Sequence, residues 1–166
     1  MDKILLGMIG SQFAAHLHLN NYSRMRGSQL EVVAIASKTE GSAQATARKF
    51  DIPSVYTDYR HILGRKDVDV IDLCVPTHLH EEMILEGAKA GKHVICEKPL
   101  TGYFGKDVDG EDIGCRVARQ RMLEGAMGSC SRIRKAIQNH PIQFCYAENW
   151  IYAPSLAKIK RIVNVS

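Results

Sequence analysis

No stretch of this 166-residue sequence is apolar for the ~18–20 residues that a membrane-spanning helix requires, and no basic-then-apolar leader with a small-residue cleavage site opens it. The expectation is a soluble, cytoplasmic protein with no membrane partner. Cysteine is scarce and unpaired: Cys74, Cys96, Cys115, Cys130 and Cys145 are odd in number and never spaced as CxxC. They read as buried free thiols of a reducing compartment. Charge of one sign is not in large excess either. A net charge of +4 fits an anionic ligand without demanding one. The surplus sits in Arg116, Arg119, Arg121, Arg132, Arg134 and Lys135, which lack the aromatic or glycine interleaving that nucleic-acid binding wants. They read as the solvated face of a helix, and nucleic acid is not an expected partner. Internal repeats and low-complexity segments are absent as well.

What is present is ordinary globular composition, 45% apolar and 24% charged, in a length that builds one well-buried domain with a little left over. Apolar runs alternate with turns and helical patterns from the start. Residues 3–9 (KILLGMI), 30–36 (LEVVAIA), 54–57 (SVYT) and 68–75 (VDVIDLCV) read as four strands, the run beginning at His93 as a fifth and 142–147 (IQFCYA) as a sixth. Between them fall helical stretches: one reaching about Arg24, one with Ala43, Ala47 and Phe50 on a face, a short one after Asp58, and one from His78 closed by Gly91. A long helix is expected from Cys115, with Ala118, Met122, Gly125, Ser129, Ile133 and Ala136 on one side, ended by Pro141. Strand, helix, strand in this rhythm predicts an α/β fold, a Rossmann-type doubly wound and mostly parallel sheet. Residues 1–147 form the expected nucleotide-binding domain. Residues 148–166, with Pro154 at a first turn and Leu156, Ile159 and Val163 on an apolar face, read as the start of a truncated second domain. That uncovered face gives a homo-oligomer an opportunity to form.

The fifth strand delivers Glu97, Lys98 and Pro99 to its own end. In an open parallel sheet, ligands lie outside the carboxyl ends of the strands, so Lys98 is a candidate site residue. The first strand runs into Gly10-Ser11-Gln12-Phe13-Ala14-Ala15 at the opening of a helix. A dinucleotide turn needs a glycine for the bend, a second glycine for close approach of the pyrophosphate, and a small third residue for helix–strand packing. Gly10 and Ala15 comply, and Gln12 does not. Its side chain either weakens or shifts cofactor binding or donates an amide hydrogen bond to phosphate. At the end of the second strand stand Ser37 and Lys38, with no carboxylate before Glu40, which leans the cofactor toward NADP(H) over NAD(H). No metal is expected. Asp107, Asp109 and Asp112 lack the glycine and glutamate spacing of a calcium loop. His78 and His80, two apart at a helix start, do not share a face.

With Gly10-x-x-x-x-Ala15, VPTHLH (75–80) and AGKHVICEKP (90–99) in this order, the chain resembles the nucleotide-binding half of the Gfo/Idh/MocA oxidoreductases. The specific part is the fifth-strand motif, and the likeness extends loosely through AENWIYAP (147–154). The resemblance implies an enzyme that moves hydride between a nicotinamide and a hydroxyl- or carbonyl-bearing carbon of a sugar, inositol or related polyol. It implies that Lys98 is the catalytic lysine, that Glu97 lines the cofactor side, that a cis bond precedes Pro99, and that Pro76, Thr77 and His80 border the nicotinamide ribose. Asn149, Trp150 and Tyr152 fall near cofactor or substrate. Together with Gly10, Ser11, Gln12, Phe13, Ala15, Ser37 and Lys38, the residues Pro76, Thr77, His80, Glu97, Pro99 and Trp150 make up the expected cofactor site. Family members carry a second α/β domain that supplies the substrate pocket, so this chain alone is expected to be inactive. The competing expectation, raised by Gln12, is a non-catalytic nucleotide-binding or degenerate regulatory module.

Overall fold

The computed structural model describes residues 3–25, 29–105, 108 and 112–164. Six strands, β1 (Ile4–Ile9), β2 (Leu30–Ala36), β3 (Ser54–Tyr56), β4 (Val70–Leu73), β5 (His93–Glu97) and β6 (Phe144–Ala147), form one sheet in the order β3-β2-β1-β4-β5-β6. Every pairing is parallel. Helices α1 (Phe13–Tyr22), α2 (Glu40–Phe50), α3 (Arg60–Leu63), α4 (His80–Lys89), α5 (Ile113–Arg116), α6 (Arg119–Asn139) and α7 (Pro154–Asn164) make the connections and the C-terminal segment. The doubly wound parallel architecture is the expected one. Its order reverses at β1, which lies between β2 and β4, and that reversal opens the crevice where such sheets bind ligands.

Strand residues alternate between two cores because successive side chains point to opposite faces. Leu6, Met8 and Ile35 pack with Ala15 and Leu19 of α1 and Ala47 of α2 on one face. Ile71, Leu73, Val94 and Cys96 pack with Ile84 and Ala88 of α4 and Ile133 of α6 on the other. Asp72 and Glu97, one residue out of phase with Leu73 and Cys96, therefore project from the face that carries α1.

Two expectations need correction. The long helix does not begin at Cys115. It breaks after Arg116, where Val117 and Ala118 take extended backbone (ψ 134° and 135°) and Val117 turns inward. Ala118 is consequently exposed, whereas Ser129 and Ile133 are buried as the periodicity requires, and the six basic residues of this stretch face solvent. The cysteines are all free, but only Cys74 and Cys96 are buried; Cys115 and Cys145 are exposed and Cys130 is half-buried. Cys145 lies on the edge strand β6. Asp107 and Asp109 lie outside the described residues. Among the described residues no helix is long and apolar enough to cross a membrane.

Candidate functional site

Where β1 ends, the chain must pass close to the end of β4. Gly10 does so with φ +114°, and a Cβ there would lie 2.1 Å from the carbonyl oxygen of Cys74, so no side chain fits. Its N–H donates to the Ala36 carbonyl at 2.8 Å, which ties the turn to the end of β2. Ala15, wholly buried, lets α1 lie close on the sheet. The first turn of α1 has no side-chain cap and no acidic residue. Its N–H groups are thus open to an anion, which the helix dipole also favours.

Gln12 takes φ −98°, an ordinary value, so its backbone demands no glycine. Its side-chain amide donates to the Ser42 hydroxyl of α2 at 3.3 Å. Ser11, predicted as a contact, is buried, and its hydroxyl is engaged with Ser37 at 2.9 Å and Ser42 at 2.7 Å. Phe13 is 77% exposed. A cavity of about 610 Å³ runs from this turn past Ser37 and Lys38 to Val75, Pro76 and His78. Lys38 is exposed within it, whereas the nearby Arg60 is committed to Glu82 at 3.1 Å and Glu86 at 3.2 Å.

At the end of β5, Lys98 is exposed and the Lys98–Pro99 peptide is cis. The Lys98 backbone N–H donates to Glu97 Oε2 at 2.8 Å, and among the described residues nothing accepts from its ammonium group. Thr77 opens a 3₁₀ turn that leads into α4. His80 is wholly buried. Its Nδ1 lies 3.0 Å from the Pro99 carbonyl and its Nε2 3.0 Å from the Val75 carbonyl, so its ring braces the crevice from beneath. Trp150 is 67% exposed, in the turn after β6, with its backbone N–H on Glu148.

One group of residues went unpredicted. His18 of α1 contacts Asp72 Oδ2 through Nδ1 at 2.7 Å and Glu97 Oε1 through Nε2 at 3.2 Å. Tyr22 donates to Asp72 Oδ2 at 2.6 Å, and Cys74 Sγ lies 3.7 Å from Asp72 Oδ1. The hydrogen bond to Asp72 holds His18 above its usual range, against the opposing pull of burial. Burial, reinforced by Asp72, pushes the Tyr22 hydroxyl and the Cys74 thiol up, and burial takes the Cys96 thiol to about 12. Both buried thiols are therefore poor nucleophiles at neutral pH. His18, Asp72 and Cys74 offer atoms within 4.8 Å of one another. Both ring nitrogens of His18 are taken by carboxylates, however, which is the geometry of a proton-bridged network. The one available signal was an aspartate inside the apolar run VDVIDLCV.

Comparison with known proteins agrees with this geometry. The uncharacterized oxidoreductase YrbE of Bacillus subtilis is 29% identical over 162 residues, covering 98% of this chain and 40% of that protein. D-xylose 1-dehydrogenase (NADP(+)) 2 of Haloferax volcanii is 38% identical over 77 residues, covering 46% of this chain and 24% of its own. The solved structure of levoglucosan dehydrogenase in complex with NADH and L-sorbose matches with a TM-score of 0.78 at 26% identity, over 99% of this chain and 39% of that one. The chain thus spans less than half the length of these relatives. Residues 4–107, more than half of the chain, match the oxidoreductase family with an NAD-binding Rossmann fold, and the chain belongs to that family, Gfo/Idh/MocA.

Proposed function

We propose that this chain is the cofactor-binding part of an NAD(P)-dependent oxidoreductase acting on a sugar, inositol or related polyol, with residues 1–147 as the nucleotide domain and 148–166 opening the next. The observation that carries the reading is Gly10, pressed against the Cys74 carbonyl below an uncapped helix N-terminus at the switch point of the sheet. That cradle fits a dinucleotide, whose nicotinamide supplies the hydride acceptor or donor when bound. The backbone of Gly10, Ser11, Gln12 and Phe13 would hold the pyrophosphate, with Ala15 keeping the helix close. Ser37 and Lys38 would hold the adenosine ribose. Pro76, Thr77, Glu97, Pro99 and Trp150 would border the nicotinamide end, with His80 supporting it from below.

Lys98 is the proposed catalytic residue. Its uncommitted ammonium group would hydrogen-bond the reacting oxygen and stabilise the negative charge that develops there, or pass it a proton. The exposed cation at Lys38 and the sequence Ser37-Lys38-Thr39 after β2, without a carboxylate, favour NADP(H) over NAD(H). Relatives divide on this point, one named for NADP(+) and another solved with NADH.

Calorimetric titration of the chain with NADPH, NADH and their oxidised forms tests the reading. Micromolar binding with preference for the phosphorylated pair supports it. Gln12 motivates a second reading, a module that has lost nucleotide binding, and that reading prevails if none of the four binds. For Lys98, a protein carrying both domains with Lys98→Met should keep cofactor affinity and lose turnover by at least about 100-fold; unchanged turnover removes Lys98 from the chemistry.

A further inference from the structure

Five polar side chains from three elements meet on the α1 face of the sheet, beside the proposed crevice. Asp72, with no exposed surface, stands one residue before the end of β4. Glu97 is the last residue of β5, and His18 and Tyr22 lie one turn apart on α1. Cys74 follows β4. A buried carboxylate survives only if its oxygens are well supplied with donors. Asp72 is supplied three times: by Tyr22 at 2.6 Å, by His18 at 2.7 Å and, more weakly, by the Cys74 thiol at 3.7 Å.

The proton inventory follows from these contacts. Each ring nitrogen of His18 faces a carboxylate oxygen, and carboxylates accept. A neutral imidazole donates from one nitrogen only, which would leave the other lone pair against an anion. The doubly protonated ring satisfies both contacts. The groups facing it are Asp72 and Cys74 from β4 and its end, Glu97 from β5 and Tyr22 from its own helix, with Cys145 of β6 near enough to act on Tyr22. None of them is basic. The second oxygen of Glu97 accepts the backbone N–H of Lys98 at 2.8 Å.

We propose that His18 is a positioning residue, an imidazolium that bridges Asp72 and Glu97 and, through the Glu97 carboxylate, fixes the backbone of Lys98 relative to the helix that begins at the phosphate turn. The assignment rests on the proposed role of Lys98 for its functional meaning. A single continuous path, Asp72 to His18 to Glu97 to the Lys98 N–H, then joins the end of β4, the body of α1 and the end of β5. An ion pair serving stability alone would need only Asp72 and His18. The Glu97–Lys98 link makes the network a constraint on where the lysine is presented.

Histidine-selective ¹⁵N NMR of the 166-residue chain tests this, with His18 assigned by His18→Gln. Both His18 nitrogens should remain protonated to a higher pH than those of an ordinary histidine, which loses a proton near neutral pH. The backbone amide of Lys98 should shift with the same midpoint as the His18 ring, a response that a merely structural ion pair would not produce. If His18→Gln fails to fold, Glu97→Gln serves instead. It keeps an acceptor for Lys98 but removes one carboxylate, and should lower the proton affinity of His18 by roughly tenfold. A bare nitrogen on His18 at neutral pH, or a Lys98 amide indifferent to the ring's titration, overturns the proposal. These readouts need no nucleotide, so failure of the cofactor reading in calorimetry and failure of this one are separate results.

Discussion

Gly10 and Cys74 approach so closely that a Cβ on the glycine would stand 2.1 Å from the Cys74 carbonyl oxygen, well inside van der Waals contact. The carbonyl belongs to backbone held by the Cys74 N–H bond to Ile9 at 2.8 Å, so it cannot swing aside cheaply. Gly10 also needs φ +114°, a region that other residues rarely occupy. Gly10→Ala should therefore cost at least about 3 kcal/mol in denaturant unfolding, from strain and overlap together. A loss below about 0.5 kcal/mol, within the range of a neutral surface change, would show that the turn relaxes freely.

The brace under the crevice invites a similar experiment. His80→Ala would remove the ring that lies between the Val75 and Pro99 carbonyls, leaving the one it donates to without its donor, and open a buried void. Together these effects predict a loss of about 2–4 kcal/mol. His80→Gln, which retains a donor, should recover part of it. Equal losses in the two variants would mean that packing, and not the hydrogen bonds, fixes the segment after Lys98.

The difference between what the sequence revealed and what it concealed lies in the range of the interactions involved. Alternation of apolar runs with helical periods is local, and it located all six strands, the turn at Gly10 and the delivery of Lys98 to the end of β5. The break at Val117 goes with burial of its side chain, which helical periodicity alone does not register. Cys145 looked buried because its strand is apolar; being on the edge strand left it exposed. Nothing in the local sequence sets His18 apart from its helix neighbours. Its partners stand 54 and 79 positions away, and only the parallel register of β4 and β5 brings them to one face. Asp72 breaks the local rule, as a fully buried charge within an apolar strand.

Stability should depend on pH through His18. Its folded-state pKa is raised above the usual 6.5, chiefly by the hydrogen bond to Asp72. A raised histidine contributes stability that is fully present below the unfolded value, and that stability is lost as pH rises through the folded value. The unfolding free energy should thus decline as pH rises from about 6.5 through the folded value. His18→Gln should remove this decline. An identical slope in the variant would assign the pH dependence to another group.

Lys38 offers a cofactor test that leaves the fold untouched, since the side chain is exposed. If it holds the 2′-phosphate, Lys38→Ala should weaken NADPH by about tenfold, or about 1.4 kcal/mol, and leave NADH within about twofold. Ser37→Asp should act in the same direction by placing a carboxylate where the phosphate would sit. Equal losses for both cofactors would remove Lys38 from discrimination.

Gln12 carries two opposed expectations that one pair of variants separates. If its side chain obstructs the pyrophosphate, Gln12→Gly should tighten NADPH and NADH alike by about three- to tenfold, because the pyrophosphate is common to both. Gln12→Ala, which keeps the Cβ but not the amide, should fall between. If instead the amide donates to phosphate, both variants should bind more weakly, and by similar factors. The geometry favours obstruction: the amide already has a partner in Ser42 at 3.3 Å, and reaching a phosphate would mean giving that contact up. The backbone at Gln12 has an ordinary φ of −98°, so glycine there relieves no strain and any gain in affinity reports on the side chain itself. Helix stability should change by only a few tenths of a kcal/mol, since glycine is an acceptable residue at the start of α1.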